Sequence, residues 1–221
     1  MKKNLLERAL DFLKSKGKKI ARVGDYTGRY FSPGIDTRYE EALRFYLANG
    51  FREIDTEEDV MIDLSAFQPT DYHKRAQRRI RELGVSIAPY QPTALQAMRR
   101  FAAKLAYPQW FPEGWELHFA KRGHTLVALL KNEIVGWAEF HLDSGEWFFG
   151  PIAVLKELRR MGIGTCLLLE SMRRLKALGA TSVTAGWANV PFYLKNGWMI
   201  SRRYAVLQKE LAASFDEPST M

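Results

Sequence analysis

A seven-residue motif occurs twice in this chain of 221 residues. Residues 45–51 read FYLANGF and residues 192–198 read FYLKNGW, so five positions are identical and one exchanges one aromatic residue for another. Each copy follows the same order of patterns: a leucine-rich helix, a glycine stop at Gly17 or Gly179, and a short β-like run. Such a repeat predicts one folding unit present twice. The alternative is independent use of Asn-Gly as a helix stop.

The two copies have unequal surroundings. About a hundred residues of further strands and helices precede the second copy, whereas the first has almost nothing before it. We therefore expect residues 1–66 to be the second half of a unit: helix, strand, helix, and then strands at 51–54 and 60–64 around the acidic turn 55–58. A sheet without its first strands has an exposed edge. We expect this half unit to pack on the other unit's sheet or to pair with another chain, as a homodimer.

Residues 85–221 carry the pattern of a complete mixed domain. Strand and hairpin patterns come first and a strand–helix–strand pattern follows, which predicts an α/β fold in which helices cover a mixed sheet. Residues 67–84 read as a linker and a basic helix closed by glycine. The predicted organisation is a partial unit at 1–66, a connecting segment at 67–84 and a complete domain at 85–221.

Composition narrows the class of protein. The only cysteine, Cys166, lies in an apolar run, which excludes a disulfide framework and most zinc patterns, so we expect no metal and a cytoplasmic location. Glu7, Arg8 and Asp11 interrupt any signal peptide, and no stretch approaches the length of a membrane span. The net charge of +8 could attract nucleic acid or a small polyanion. No nucleic-acid-binding module accompanies the charge, so we do not expect that partner.

A glycine-containing segment opens the longest apolar helix pattern. Residues 159–164 read RRMGIG and follow an apolar strand. Glycine has no Cβ to keep an anion away from backbone N–H groups, and the first turn of a helix has unpaired N–H groups with partial positive charge. Arg159 and Arg160 can add charge-assisted hydrogen bonds. The pattern indicates a phosphate cradle, with helix packing as the alternative reason for the glycines.

These residues and a later motif resemble the GCN5-related N-acetyltransferase (GNAT) family. The family's main motif, Q/R-x-x-G-x-G/A, is matched by Arg159, Gly162 and Gly164. Its later motif, an Asn before a helix with an aromatic-Tyr…Gly-aromatic pattern, is matched by Asn189 and residues 192–198. The resemblance implies the GNAT acyl-CoA N-acyltransferase fold.

The resemblance extends over residues 85 to about 210. Residues 1–66 are similar to the second half of a further unit, as in tandem-GNAT proteins, but they lack the glycine loop. The implied fold is therefore one complete unit plus the C-terminal half of a second, and the partial unit is not expected to bind acetyl-CoA by itself.

The resemblance also implies an acetyl-CoA site. Backbone groups of Ile152, Ala153 and Val154 would pair with the pantetheine arm like an added strand. The diphosphate would be held by Arg159 and by the N–H groups of Arg160, Met161, Gly162, Ile163, Gly164 and Thr165. Asn189 would hydrogen-bond the arm. Lys195 could reach the adenosine end, although a merely solvated lysine is an equal alternative.

Tyr193 lies where the family usually carries the general acid that protonates the departing thiolate. A core tyrosine is the alternative, because Tyr46 occupies the equivalent place in the first copy. The base is less defined, since the family's frequent base glutamate falls on Phe148, which cannot take a proton. Glu146 is the first candidate because it shares a strand face with that position, and Glu139 and His141 follow. A water relay or an already neutral amine are further alternatives.

The expected activity is acetyl-CoA-dependent transfer of an acetyl group to a primary amine of a small-molecule acceptor, by direct attack on the thioester. The alternative is a non-catalytic GNAT-like module that binds acyl-CoA or a partner, which the apolar residue at the base position favours. A basic nucleic-acid-binding protein that borrows the fold is a third reading. Aromatic residues could line the acceptor pocket or simply belong to the core: Trp110, Phe111, Trp115 and Trp187.

Overall fold

The computed structural model describes residues 2–24, 33–105, 107, 110–111, 113–116 and 124–211. The chain divides into two compact units, Met1–Glu58 with Arg202–Met221 (unit 1) and Asp59–Ser201 (unit 2). In the described part of the chain, no helix is long and apolar enough to cross a membrane.

Unit 1 is a small sheet with two helices. Its elements are α1 (Lys2–Ser15), β1 (Ile20–Val23), β2 (Ile35–Asp36), α2 (Glu40–Ala48), the first part of β3 (Arg52–Asp63) and the second part of β9 (Met199–Glu210). β9 lies between β1 and β3. It runs antiparallel to both β1 and β2, with Ile20 opposite Glu210 and Ile35 opposite Ala205. The core is formed by the buried side chains of Leu10, Ala21, Ile35, Phe51, Ala205, Leu207 and Leu211.

β9 therefore supplies a partner strand to a unit that was expected to lack one. The compact unit differs from the predicted segment 1–66, because it ends at Glu58 and takes in residues that follow Ser201. The predicted organisation concerns which segments descend from one duplicated unit, whereas the compact units describe which residues pack together. The predicted domain organisation therefore stays a prediction. A homodimer through this unit also stays a prediction: β1 pairs with β9 on one side and is the terminal strand of the sheet that the structure describes.

The acidic segment 55–58 lies inside the continuous strand β3, so the prediction of two strands around a turn was wrong. Two ion pairs between β3 and β9 favour the extended conformation. Arg203 Nε donates to Glu58 Oε1 at 2.8 Å, and Arg52 Nη2 lies 3.4 Å from Glu210 Oε1. Because opposite charges on neighbouring strands stabilise a sheet, the acidic residues remain in an extended conformation.

The two copies of the repeated motif adopt the same local structure. Asn49 and Asn196 each donate from Nδ2 to the carbonyl oxygen of the phenylalanine four residues earlier, at 2.8 and 2.7 Å. The glycine that follows has φ of +81° in the first copy and +84° in the second. Tyr46 and Tyr193 each lie edge-on to the aromatic residue after that glycine, with ring centroids 5.2 and 5.0 Å apart. These matches support the predicted duplication without testing it.

Unit 2 has helices on a mostly antiparallel sheet, as the sequence predicted. Its elements between the end of β3 and the start of β9 are α3 (Asp71–Glu82), β4 (Val85–Pro89), α4 (Leu95–Leu105), β5 (Thr125–Leu130), β6 (Glu133–Asp143), β7 (Glu146–Val154), α5 (Ile163–Ala177), β8 (Ser182–Ala185) and α6 (Val190–Lys195), with single 3-10 turns at Pro92–Ala94 and Lys156–Leu158. The strand order is β3-β8-β7-β6-β5-β4. Only β7 and β8 run parallel among the paired strands of this unit that the structure describes.

The parallel pair β7–β8 separates soon after it forms. Its registered pair is Phe148 opposite Thr184, and β8 ends one residue later at Ala185. β7 continues to Val154 and pairs there only with β6, with Val154 opposite Gly136. Within the described residues, the last part of β7 thus has an edge in the interior of the sheet that no strand covers.

The two faces of β6 pack against different elements. Gly136 faces α5, because a Cβ placed there would lie 3.0 Å from Leu167 Cδ1. Since successive side chains of a strand point to opposite faces, Trp137 faces the other side and packs against Phe111, with ring centroids 5.1 Å apart. Cys166 is buried on α5 as predicted, and burial raises the pKa of its thiol to about 11.

Candidate functional site

The amino end of α5 lies where β7 leaves its neighbour. Gly162 is the N-cap residue of α5, no side chain caps it, and the first turn carries no acidic residue. The first N–H groups of a helix have no partner within the helix and carry partial positive charge. The first turn of α5 therefore offers backbone donors to an anion, as the sequence predicted for this segment.

The loop before α5 has an unusual backbone. Arg160 adopts φ of +62° and Gly162 adopts φ of +92°. A left-handed conformation is uncommon for arginine and calls for an explanation. Its guanidinium-bearing side chain is exposed, so the loop adds a positive charge beside the helix end.

The two glycines of the motif have different surroundings. A Cβ on Gly162 would lie 3.1 Å from both Cα and Cβ of Ala76 in α3, so this position must be glycine for packing as well as for its φ. A Cβ on Gly164 would lie 3.5 Å from the Phe192 ring and 3.8 Å from Val154 Cγ2, which are ordinary contacts. The presence of glycine at position 162 is therefore not explained by anion binding alone. Helix packing, the alternative reason for a glycine in this motif, also applies to Gly162.

The residues predicted to hold the pantetheine arm are on the uncovered part of β7. Ile152, Ala153 and Val154 are half-buried there. Arg159 turns back onto the same strand, where its Nε donates to the Val154 carbonyl oxygen at 3.1 Å. Main-chain groups of 152–154 and the α5 amino end thus occur side by side, joined by the short segment that contains Arg159.

Asn189 and Lys195 bracket α6. The side-chain oxygen of Asn189 accepts from the Phe192 N–H at 3.3 Å and caps the helix. Both Asn189 and Lys195 are exposed. Among the predicted loop residues, Ile163 and Thr165 have buried side chains, while Met161 is half-buried, so the N–H groups of these residues carry any role in binding.

Tyr193 is a buried residue beside the point at which the strands separate. Its side chain is 5% exposed and lies edge-on to Phe149, the β7 residue at which the strands separate. No hydrogen bond of its hydroxyl occurs among the described residues. Burial raises the pKa of Tyr193 well above its ordinary value.

Glu146 lies far from the uncovered edge of β7. β7 does extend to Glu146 as expected, but this carboxylate is exposed at the hairpin, opposite Asp143. Six residues separate it from Ile152, which is about 20 Å along a strand. That separation does not suit a base that acts beside residues 152–154. His141 is also exposed, and its ring stacks on Phe148 with centroids 5.6 Å apart.

Glu139 occupies a different environment, buried beside Trp137 on the face of β6 opposite α5. It is 3% exposed, and Trp137 Nε1 donates to its Oε1 at 3.1 Å. The β6–β7 register shifts at Glu139, between Ala138 opposite Ile152 and Phe140 opposite Phe149. This buried carboxylate is therefore on the strand beside residues 152–154.

The predicted aromatic residues only partly come together. Trp110 and Phe111 lie 6.0 and 5.1 Å from Trp137 by ring centroid, and Trp115 lies 5.1 Å from Phe111. Trp187 is elsewhere, directly after β8, in a left-handed conformation. In the part of the chain that is described, no group of three or more His, Cys, Asp or Glu could hold a metal ion.

Sequence reasoning missed several residues that border the site. Trp137 could have been found, because it shares a strand face with Glu139 at a spacing of two. Thr125 lies opposite Glu139 on β5, and its Oγ1 is buried without a partner among the described residues. Tyr72 and Arg79 of α3 touch the glycine loop, as described below. The sequence gives no signal for those contacts, because the charged residues of a basic helix are usually expected to face solvent.

Comparison with known proteins places the fold. Residues 93–198 match the acetyltransferase (GNAT) family. A structure of a fungal multi-domain GH3 β-N-acetylglucosaminidase, described as having a unique GCN5-related glucosamine N-acetyltransferase region, aligns over 93% of this chain with a TM-score of 0.74 and 18% identity. This chain spans 27% of that protein. No protein with a curated description matches the sequence significantly.

Two further solved structures support the same fold. A GCN5-related N-acetyltransferase from Sphaerobacter thermophilus aligns with 84% of this chain and 61% of its own length, at a TM-score of 0.62 and 18% identity. A tandem GNAT protein from the clavulanic acid biosynthesis pathway aligns with 96% of this chain and 70% of its own, at 0.60 and 14%. At these identities the likeness concerns the fold alone.

Proposed function

From the match of residues 93–198 to the acetyltransferase (GNAT) family, we propose that this protein transfers an acetyl group from acetyl-CoA to a primary amine of a small-molecule acceptor. The observation that carries the proposal is the uncovered edge of β7 beside the uncapped amino end of α5. An extended chain that ends in a diphosphate fits that combination, because the strand edge offers main-chain groups and the helix end offers N–H donors.

The described residues around β7 and α5 fit acetyl-CoA. The main chain of residues 152–154 would pair with the pantetheine arm, and the N–H groups of residues 160–165 would hold the diphosphate, with Arg159 and Arg160 adding positive charge. Asn189 would meet the arm with its amide group, and Lys195 would face the adenosine end. Acetyl-CoA, when bound, supplies the thioester as the acyl donor.

Two side chains would handle protons. Tyr193 would donate its hydroxyl proton toward the departing sulfur, and its raised pKa keeps the proton in place until that step. We assign the base role to Glu139 instead of Glu146, because Glu139 is buried beside residues 152–154 and Trp137 fixes one of its oxygens. A carboxylate at this position would also attract the ammonium form of the acceptor by its charge.

The experiment is a panel of primary amines, assayed by release of the coenzyme thiol. We expect turnover with at least one amine and a rise in melting temperature with acetyl-CoA alone. On an active amine, Glu139→Gln should lower kcat/KM about a hundredfold, whereas the control Glu146→Gln should leave it within about twofold. Binding of acetyl-CoA without turnover on any amine would favour a non-catalytic acyl-CoA-binding module, and absence of binding would refute both.

Residues 1–66 are proposed to descend from the second half of another unit of the same family. The matching Asn-Gly stops of the two motif copies support this, as does the likeness in fold to a tandem GNAT protein. A cytoplasmic location and a homodimer remain predictions from the sequence.

A further inference from the structure

Helix α3 precedes the residues that match the family, yet it lies along the glycine loop. α3 spans Asp71–Glu82 and the match begins at residue 93. Tyr72 OH is 3.2 Å from Thr165 Oγ1. Ala76 is the residue against which Gly162 packs, and Arg79 Nη1 donates to the Arg160 carbonyl oxygen at 3.4 Å. The spacings of four and three residues place these contacts on one face of α3.

The contact of Arg79 bears on a peptide of the anion cradle. In a trans peptide, the C=O and the following N–H point in opposite directions. A donor from α3 on the Arg160 carbonyl therefore directs the N–H of Met161 away from α3. A second atom of the guanidinium, Nη2, lies 3.1 Å from Met161 Sδ, so Arg79 touches both residues that flank this peptide.

We propose that Arg79 is a positioning residue for the coenzyme diphosphate, and that α3 is a fixed rear wall of the coenzyme site. The inference rests on the proposed function, because it assigns the N–H of Met161 to the diphosphate. Arg79 acts through the Arg160–Met161 peptide, which it holds in the left-handed conformation at Arg160, and it needs no contact with the coenzyme itself.

α3 is anchored independently at its other side. His73 is 1% exposed and its Nδ1 accepts from the Thr70 N–H at 2.9 Å, so the neutral ring has its proton on Nε2. His73 Nε2 and Asn196 Oδ1 are both buried, and neither has a hydrogen-bond partner among the described residues. Burial lowers the pKa of His73 and the nearby Asn196 side chain opposes that shift. Asn196 directly follows α6, so the buried side of α3 lies near the end of the helix that carries Tyr193.

The neighbouring Arg78 provides a matched control. It is exposed on the same helix, and it has the same charge as Arg79 but no contact with the loop in the described structure. The experiment measures dissociation constants for coenzyme A and for pantetheine, which lacks the diphosphate, by calorimetry with the full chain. Variants are Arg79→Gln, Arg79→Lys and Arg78→Gln, each checked for an unchanged melting temperature without ligand.

We expect Arg79→Gln to weaken coenzyme A about tenfold, the size of effect expected for one lost hydrogen bond from a charged group, and to leave pantetheine unchanged. Arg79→Lys should restore part of the loss and Arg78→Gln should have no effect. A positioning role also leaves the slope of log Kd against log salt the same in Arg79→Gln as in the wild type, whereas a reduced slope would mean direct charge contact and would overturn the assignment.

Equal affinities of Arg79→Gln and Arg78→Gln for coenzyme A would refute the inference while leaving the proposed function intact. If the wild-type protein itself binds no coenzyme A, the proposed function fails first. The two failures are thus distinguished by the wild-type measurement.

Discussion

At the scale of single residues, the repeated motif provides an internal comparison. Tyr193 and Tyr46 have the same edge-on contact with the aromatic residue that follows the Asn-Gly stop. Only Tyr193 is beside strands that separate, through its contact with Phe149. The conserved contact explains why either tyrosine could be structural, and the local environment is what assigns chemistry to one of them.

Tyr193→Phe is expected to lower kcat about a hundredfold or more on an active amine, because the group that protonates the leaving sulfur is lost. The ring contacts are kept, so the Kd for coenzyme A should stay within about twofold. Tyr46→Phe makes the same change in unit 1 and should leave kcat unaltered. Steady-state kinetics and calorimetry check both variants, and an undiminished kcat in Tyr193→Phe would remove this tyrosine from the mechanism.

The sequence named Tyr193 as the acid and Glu146 as the first candidate base, and both roles stay predictions, but it could not show which carboxylate is buried. Counting back from the glycine loop identifies the strand β7, and Glu146 is on it as expected. Burial depends on the neighbouring strand and on the aromatic residues above it, which no local pattern contains. The burial of Glu139 depends on the pairing of β6 with its neighbouring strands. Its 3% exposure and the hydrogen bond from Trp137 therefore become visible only in the folded sheet.

At the scale of elements, the glycine loop and its helix were predictable and the helix behind them was not. The apolar period of 163–177 and the glycines before it define α5 from local sequence. α3 has a strongly charged sequence. Three of its residues contact the loop, and they do not form an apolar stripe that a sequence pattern would reveal: Tyr72, Ala76 and Arg79. Their role follows from close packing at Gly162, which is a property of two elements together.

The two glycines of the motif should separate stability from binding. Gly162→Ala places a Cβ 3.1 Å from Ala76 at a φ of +92°, and we expect it to lower the free energy of unfolding by about 1 to 3 kcal/mol. Gly164→Ala meets only ordinary contacts, so its stability should change by less than about 1 kcal/mol. Its new methyl points toward Phe192 and Val154, so coenzyme A binding should weaken. Denaturant unfolding and calorimetry on both variants test this, and equal losses of stability would contradict it.

His73 should make the stability of unit 2 depend on pH. Burial lowers its pKa in the folded protein, opposed by the Asn196 side chain, whereas in the unfolded chain it titrates near 6.5. Between these values the unfolded state binds more protons, so stability is complete above about pH 6.5 and decreases as the pH falls through and below it. Melting temperatures from pH 7 to 5 should fall less steeply in His73→Gln than in the wild type, and identical slopes would show that His73 does not contribute.

At the scale of the whole molecule, the strand and helix patterns of residues 85–221 predicted the class of fold, and the glycine loop indicated which motif copy accompanies the expected site. The sequence could not predict which strands the last strand, β9, pairs with. Residues 199–210 follow the second motif copy as a closing strand, as predicted, but their second part pairs with β1 and β2. That pairing joins residues nearly two hundred positions apart, and a pattern of local hydrophobicity carries no information on such partners.

Leu207 tests the contribution of β9 to unit 1. It is fully buried in the core of that unit, opposite Val23 of β1. Leu207→Asp buries an unpaired carboxylate and removes apolar contact, so we expect a loss of at least about 3 kcal/mol in the stability of unit 1. Hydrogen exchange should show the amides of β1 opening in the variant, with Glu210→Gln as a control at an exposed position of the same strand. Unchanged protection of β1 would contradict the assignment of β9 to this unit.

The position of β9 has a consequence for synthesis on the ribosome. Residues up to Glu58 are made before the strand segment they pair with, which begins with Arg202, about 140 residues later. At bacterial or eukaryotic translation speeds this is a delay of roughly 7 to 28 s, during which Leu10, Ala21 and Phe51 have no completed core to enter. We therefore expect this segment to expose its apolar side chains until β9 has been synthesised, and a chain released before that point to be prone to aggregation.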